Sequence, residues 1–179
     1  RILTELAQLD MPKVRFQVEF APKDAPDGMD ATGMDVVRFL MSANLGEALK
    51  PINKIASGGE LSRIMLAMKN ALDETDYVGT LIFDEIDANL GGETGSAVGE
   101  KLKSVSRHHQ VIAITHLPQS AVHGDRHMVV SKTVSGGRTR SAIQEVEGEA
   151  RARGGARMLG GETATSVVLR HARELLGLD

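Results

Sequence analysis

The sequence has no cysteine, few aromatic residues and no long apolar run, and each absence excludes a class of protein. With no cysteine among its 179 residues, the chain can form neither disulfides nor a thiolate metal site, which fits a reducing cytoplasm. Aromatic residues make up 3%, too few for a surface that stacks the bases of single-stranded nucleic acid. No apolar stretch approaches the roughly 20 residues of a membrane helix, so we expect no membrane partner.

The remaining composition is that of a folded domain with an uneven charge. Hydrophobic residues make up 41% and charged residues 25%, and the length fits one domain or half of a larger composite domain. The net charge is −3, but the window from Lys101 to Arg140 holds seven Lys and Arg against the single acid Asp125. This basic window is either an ordinary solvated surface or a contact for nucleic-acid phosphate.

Hydrophobic periodicity predicts an α/β fold. Two apolar runs each follow a helical segment and end in polar residues, which is typical of parallel strands joined by crossover helices. The predicted strands cover residues 14–20, 36–43, 80–83, 111–114, 128–134 and 141–146, with a loop at 22–33. The predicted helices cover residues 1–9, 61–72, 98–105, 150–159 and 165–176. We therefore expect a mostly parallel sheet with flanking helices and additional antiparallel strands.

The first candidate site is Ser57-Gly58-Gly59-Glu60, at the start of a predicted helix. Two glycines let the backbone approach an anion, and the free N–H groups and dipole of the helix N-terminus favour a phosphate. Ser57 adds a hydroxyl that can donate to a phosphate oxygen. The same residues have the spacing of a capping box, in which Ser57 caps the helix and Glu60 lies three residues on. Both interpretations stay open.

Asp84 and Glu85 follow the apolar run at residues 80–83. Two adjacent carboxylates at a strand tip suit magnesium-nucleotide chemistry, because Mg²⁺ takes one or two carboxylates together with waters and substrate phosphates. We expect Asp84 to hold the hydrated metal and Glu85 to orient or deprotonate an attacking water. The alternative is a strand that ends in solvated acids.

His116 follows the second apolar run and can donate to a γ-phosphate. Taken alone, a histidine at this place is more often a surface or packing residue. The other histidines of the basic window lack the HxH or HExxH spacing that would favour zinc.

The order and spacing of the three clusters resemble the second half of an ABC-type ATPase. Residues 54–67, 115–119 and 157–161 are similar in more detail to the RecN family, the bacterial SMC-like ATPases of DNA double-strand break repair. The resemblance runs from about Met11 to Leu176. It identifies residues 57–63 as the signature motif and residues 80–85 as Walker B. Residues 86–90 are then the D-loop, where relatives usually have a sequence like VDTGISG and this chain has IDANLGG.

The resemblance implies a role for each cluster. The signature motif of one head contacts the γ-phosphate held by another head, and the histidine after the second strand senses that phosphate. The implied cofactor-binding residues are Ser57, Gly58, Gly59, Glu60 and Asp87. The implied catalytic residues are Glu85 and His116, and Asp84 holds Mg²⁺ through water. The implied cofactors are ATP and Mg²⁺.

The sequence contains no Gly-x-x-x-x-Gly-Lys-Ser/Thr motif, so the cradle for the nucleotide phosphates is missing. In RecN-like proteins this P-loop lies in an N-terminal lobe, before a long coiled coil. We therefore expect residues 1–10 to be the end of a coiled-coil helix and residues 11–179 to be the C-terminal lobe of the head. The expected partners are the N-terminal head lobe, a second head in a homodimer, and double-stranded DNA or DNA ends. The expected location is the bacterial cytoplasm, at the nucleoid.

Two other functions remain open: a transporter-type ABC ATPase subunit, and a non-catalytic interaction module with the same fold. Residues 61–63 and 117–119 favour the repair family over the transporter. The presence of Asp84, Glu85 and His116 speaks against the non-catalytic module.

Overall fold

The computed structural model describes residues 1–24, 28–42, 44, 46–54, 57–72 and 77–178, with the side chains of residues 135 and 162 left out. The predicted α/β class is confirmed, since helices and strands alternate along the chain. The contacts divide the chain into two compact units, Arg1–Asp76 and Tyr77–Asp179. Every helix among the described residues is too short or too polar to cross a lipid bilayer.

Among its described residues, the first unit contains two α-helices, one 3-10 helix and an antiparallel sheet in the order β1-β2-β3. Its elements are α1 Ile2–Gln8, β1 Arg15–Pro22, β2 Asp35–Ser42, β3 Lys50–Pro51, a 3-10 helix Ile52–Lys54 and α2 Gly58–Leu72. The register places Val18 opposite Phe39 and Phe20 opposite Val37, so the alternating apolar residues share one face. The strands predicted at residues 14–20 and 36–43 are confirmed, and they pair with each other in antiparallel orientation.

The core of the first unit lies where α1 packs against α2. Its buried apolar side chains come from α1, from the segment after it, from β2 and from α2. They are Leu6, Leu9, Met11, Val14, Met41, Ile64, Leu66, Ala67 and Ala71. Burial of each larger side chain contributes roughly 1.5–3 kcal/mol. The helical spacing seen in the sequence matches the buried pattern only in part, since Ile64 and Ala71 are buried whereas Met65 and Leu72 are 39% and 50% exposed.

The second unit contains one parallel strand pair, one antiparallel strand pair and four helices among the described residues. Its elements are β4 Thr80–Phe83, α3 Gly92–Val105, β5 Gln110–Ala113, α4 Pro118–Ala121, β6 His127–Ser135, β7 Arg138–Val146, α5 Gly148–Gly160, a 3-10 helix Gly161–Thr163 and α6 Ser166–Leu175. β4 and β5 are parallel, with Phe83 beside Ala113. β6 and β7 form an antiparallel ribbon around Gly136 and Gly137. The predicted parallel strands and the additional antiparallel strands are confirmed. The expected mostly parallel sheet is not observed, because the described strands form three separate sheets, of which only β4–β5 is parallel.

Several elements differ from the sequence prediction. Helix α3 begins at Gly92 rather than at residue 98. The sequence did not predict this earlier start, because the glycines in the first turns have low helix propensity and interrupt the apolar pattern. The elements β3, α4 and both 3-10 helices are too short to leave a periodic pattern. The predicted loop at 22–33 falls partly outside the described residues.

Glycines in α3 allow the segment 117–123 to lie directly against the helix backbone. A Cβ at Gly95 would lie 2.9 Å from Leu117 Cδ1, and one at Gly99 would lie 2.3 Å from His123 Cδ2 and 3.0 Å from the Ser120 carbonyl oxygen. The Ser120 hydroxyl also donates to the Gly95 carbonyl at 2.9 Å. This close packing fixes the segment that begins immediately after His116.

We predict that Gly99→Ala lowers the free energy of unfolding by about 1–3 kcal/mol, since the methyl group would overlap the His123 ring. The loss should occur although alanine is the better helix former by about 1 kcal/mol. Gly154→Ala in α5 is the matched control, because its Cβ would lie 3.6 Å from Val129 Cγ2, an ordinary contact. Urea denaturation measures both variants. Equal or opposite effects would contradict the packing described here.

Candidate functional site

The two parallel strands bring polar side chains to one edge of the second unit. β4 ends at Phe83 and β5 ends at Ala113, and the Ile114 N–H donates to the Phe83 carbonyl at 2.9 Å. Asp84 and Glu85 follow β4 directly. Thr115 and His116 follow Ile114. The structure therefore brings the predicted Walker B acids and the predicted switch histidine to the same end of the strand pair.

The turn after β4 exposes two acids and buries the next two residues. Asp84 and Glu85 are exposed, whereas Ile86 and Asp87 are fully buried. Glu85 has a φ of 53°, a left-handed conformation that costs a residue other than glycine about 1–3 kcal/mol. The Ala88 N–H donates to the Glu85 carbonyl at 3.0 Å and closes the turn. This strained turn keeps the Glu85 carboxylate at the strand tip, where such strain is common in functional sites.

The buried carboxylate of Asp87 holds the segment that carries His116. It accepts a short hydrogen bond from the Thr115 hydroxyl and one of 3.3 Å from the Leu117 N–H. A longer bond of 3.5 Å comes from the His116 N–H, and the His116 Nδ1 lies 3.0 Å from Asp87 Oδ1. The His116 side chain is 62% exposed while that of Asp87 is 0% exposed. Asp87 therefore orients the imidazole from the buried side, and the exposed ring remains accessible to a ligand.

The Asp87 side chain is fully buried, so it is not an exposed group that could extend towards a nucleotide. Its role in binding a nucleotide stays a prediction, and the contacts of its carboxylate make it a positioning residue for His116. Sequence reasoning did not anticipate this connection. The only available signal was a carboxylate and a threonine next to the two strand tips.

The signature segment lies in the first unit, at the start of α2. The Glu60 N–H donates to the Ser57 hydroxyl at 3.4 Å, and the Leu61 N–H donates to the Ser57 carbonyl at 3.0 Å. Ser57 therefore has the capping contact that one interpretation of the sequence expects. A hydroxyl that accepts this bond can still donate its own hydrogen, so capping leaves Ser57 able to bind a phosphate oxygen.

The glycines of the signature segment differ in exposure, since Gly58 is exposed and Gly59 is buried. Helix α2 begins at Gly58, so the backbone N–H groups of its first turn have the orientation that favours an anion. Residues 55 and 56, which belong to the stretch that resembles the RecN family, lie outside the described residues.

Arg63 is the last residue of the signature motif, and the sequence did not predict that its charge is buried. Only 7% of the surface of Arg63 is exposed. Burial lowers the pKa of its guanidinium from the ordinary value, and the nearby carboxylates of Glu60 and Asp10 oppose that change. Because Asp10 follows α1 and Glu60 lies in the first turn of α2, this charge cluster connects the end of one helix to the start of the other.

The residues present fit a hydrated magnesium ion rather than a fully protein-coordinated metal. No group of three or more His, Cys, Asp or Glu side chains gathers around a possible metal position in the described ranges. Mg²⁺ needs fewer protein ligands, because it keeps several waters and is completed by substrate phosphates. An exposed Asp84 at a strand tip has the chemistry for that role, which stays a prediction.

Solved structures similar to this chain define its class. An Smc head domain with an extended coiled coil from Pyrococcus furiosus has a TM-score of 0.52 and 21% identity, and covers 80% of this chain and 33% of that chain. An Smc head domain with a coiled coil and joint from Pyrococcus yayanosii has a TM-score of 0.52 and 23% identity, and covers 79% of this chain and 25% of that chain. At these identities the likeness concerns the fold alone. The chain therefore has the fold of part of an SMC-type head.

Sequence relatives narrow the class to one family. The DNA repair protein RecN of Treponema pallidum (strain Nichols) is 49% identical over an alignment 179 residues long, which covers 98% of this chain and 31% of that protein. The DNA repair protein RecN of Bacillus subtilis (strain 168) is 39% identical over an alignment 184 residues long, gaps included, which covers 96% of this chain and 32% of that protein. No family model matches. The chain is thus similar in sequence to part of DNA repair proteins named RecN, and it spans about a third of the length of the curated relatives it matches.

We predict that Asp87→Ala lowers the free energy of unfolding by about 1–3 kcal/mol, because it removes the buried carboxylate that accepts from the Thr115 hydroxyl and the Leu117 N–H. These two groups then keep only the hydrogen bonds between Thr115 and Leu117, of 3.2 and 3.1 Å. Asp125→Ala is the control, since that carboxylate is 75% exposed and pairs with Lys103 on the surface. The control should cost less than about 1 kcal/mol. Urea denaturation compares the two, and an Asp87→Ala loss no larger than the control would contradict the network.

Proposed function

We propose that this chain is the C-terminal lobe of an SMC-like ATPase head that acts in DNA double-strand break repair and recombination. Residues 1–10 end a coiled-coil helix and residues 11–179 form the lobe. The observation that supports this most is the edge where Asp84, Glu85 and His116 meet, with His116 held by buried Asp87. The RecN relatives favour repair over the transporter-type alternative.

In its own head, this lobe supplies the groups that act on the γ-phosphate of ATP. Asp84 holds hydrated Mg²⁺ through water, and Glu85 orients or deprotonates the attacking water. His116 donates a hydrogen bond to the γ-phosphate. Bound Mg²⁺ neutralises charge on the phosphates. Because Asp87 already orients the imidazole, His116 loses little rotamer freedom when it donates to the phosphate.

Another lobe must supply the phosphate cradle that this sequence lacks. Exposed apolar side chains support such a partner. On the β4–β5 pair, the neighbours Ile82 and Ile112 are 68% and 47% exposed, and on the β1–β2 pair Phe20 and Val37 are 66% and 51% exposed. Soluble proteins seldom leave large apolar faces uncovered. The N-terminal head lobe, which carries the P-loop, is the proposed cover.

A second head completes the site through the signature segment. Ser57, Gly58, Gly59 and Glu60 of one head bind the γ-phosphate held in the other, in a two-fold arrangement. ATP joins the heads because its phosphates are satisfied only when both are present, and hydrolysis lets them part. This cycle opens and closes a clamp that binds or bridges double-stranded DNA or its ends, in the bacterial cytoplasm at the nucleoid.

Two variants of the full-length protein test this function. Glu85→Gln should bind ATP normally, lower the hydrolysis rate by about 10²–10⁴ and accumulate the closed dimer, since only the base is lost. Ser57→Arg should bind ATP but fail to dimerise, because a bulky cation would fill the approach to the phosphate. Calorimetry, phosphate release and sedimentation velocity with ATP give the three readouts.

The controls are Glu100→Gln, an exposed acid of α3, and Ser166→Arg, an exposed residue of α6. Both should behave as wild type in all three measurements. Hydrolysis by Glu85→Gln at the wild-type rate would refute the role of Glu85. An unchanged dimer fraction for Ser57→Arg would refute the signature assignment.

A further inference from the structure

The β6–β7 ribbon presents two chemically different faces. The register places Thr133 opposite Arg140 and Ser131 opposite Ala142, while Arg138 lies at the turn. We call this side, with Ser131, Thr133, Arg138 and Arg140, the arginine face. The other face is mixed: exposed Met128, Val130, Val134 and Ile143 lie there beside Lys132, Thr139, Ser141 and Glu145. The two arginines of the arginine face are thus grouped on one side of the ribbon.

The ribbon extends away from the elements that hold its base. Near the base, Val129 lies against Gly154 of α5, 3.6 Å from the position of a Cβ there. Towards the other end, all of the described side chains from Ser131 to Arg140 are exposed. The turn is made by Gly136 and Gly137, both with positive φ, and a Cβ on either would meet open space. The arginine face is therefore accessible up to the turn.

The structure divides the basic window of the sequence into a neutralised part and an unneutralised part. Lys103 pairs with Asp125, and Arg126 forms a two-point contact with Glu145. By contrast, the side chains of Arg138 and Arg140 make no hydrogen bond or ion pair with any residue that the structure describes, and residues 127–144 include no acid. Exposed Arg107 and Lys132 also keep their charge, but on the ribbon Arg138 and Arg140 are the two such cations that share one face.

The chemistry of this face fits the backbone of a nucleic-acid duplex. Guanidinium groups bind phosphate at two points, and the neighbouring hydroxyls are further donors. Side chains two residues apart on a strand are about 7 Å apart, so Arg138 and Arg140 can bind separate phosphates. The major groove of B-DNA admits a two-stranded ribbon. The ribbon has no aromatic residue, so it lacks the stacking groups that single strands need.

We propose that the arginine face of the β6–β7 ribbon is a sequence-independent binding surface for double-stranded DNA, with Arg138 and Arg140 as its main phosphate contacts. The inference rests on the proposed function in that DNA is the partner of the protein. It adds where on this lobe the duplex binds and by which groups.

The test measures binding of a fluorescent 30-base-pair duplex to the full-length protein across a series of salt concentrations. The double variant Arg138→Ala/Arg140→Ala removes two phosphate contacts. It should therefore weaken binding to unrelated duplex sequences alike and reduce the slope of log K against log salt by about 2. The double variant Arg138→Lys/Arg140→Lys keeps both charges, so its slope should stay close to that of the wild-type protein.

The control is Arg107→Ala/Arg170→Ala, which removes the same charge from exposed positions outside the ribbon. It should leave the slope within about 0.5 of wild type. If the ribbon variant kept the wild-type slope, or if the control lost as much slope as the ribbon variant, the arginine face would be refuted as the DNA-binding surface while the proposed function would stand. Failure of the wild-type protein to bind duplex DNA would instead remove the proposed partner. Binding of anionic lipid vesicles through the same arginines, without binding of DNA, would assign the face to a membrane and contradict the proposal.

Discussion

The buried carboxylate of Asp87 is the interaction on which the proposed chemistry depends. It lies between two strand tips and accepts hydrogen bonds from the segment that carries His116. A buried carboxylate is tolerated only when its oxygens are satisfied, so the turn after β4 and the segment after β5 stabilise each other. The strained backbone at Glu85 belongs to the same turn, and the Asp87 network offsets part of its cost. The residues proposed to act on ATP are therefore held by one small polar cluster.

A second constraint is that this chain lacks part of the nucleotide site proposed for it. Its strands end in acids and a histidine, yet the sequence has no P-loop to cradle the phosphates. Its β4–β5 pair keeps Ile82 and Ile112 exposed. Both facts have one explanation if another lobe covers the apolar face and brings the cradle to the strand tips. Nucleotide chemistry would then require assembly, which is how ATP can control the opening and closing of a clamp.

The sequence predicted the parts of the fold that depend on periodicity. Alternating residues of β1 and the helical spacing of α2 identify elements whose side chains make regular contacts. The sequence could not predict the start of α3. Gly92, Gly95 and Gly99 weaken the helical pattern there, and they allow the close approach of the segment that contains α4. The candidate acids and His116 were also found from sequence, since each follows an apolar strand. The link through Asp87 and the buried Arg63 arise from tertiary contacts that no local pattern records.

The central claim is that this chain carries half of a nucleotide site. The most direct measurement is the rate of magnesium-dependent ATP hydrolysis by the 179-residue chain alone and by the same chain combined with a P-loop head lobe. The account predicts no turnover above background for the chain alone, and turnover that requires Glu85 once the lobe is present. Magnesium-dependent turnover by the isolated chain that disappears when Glu85 is replaced would contradict it.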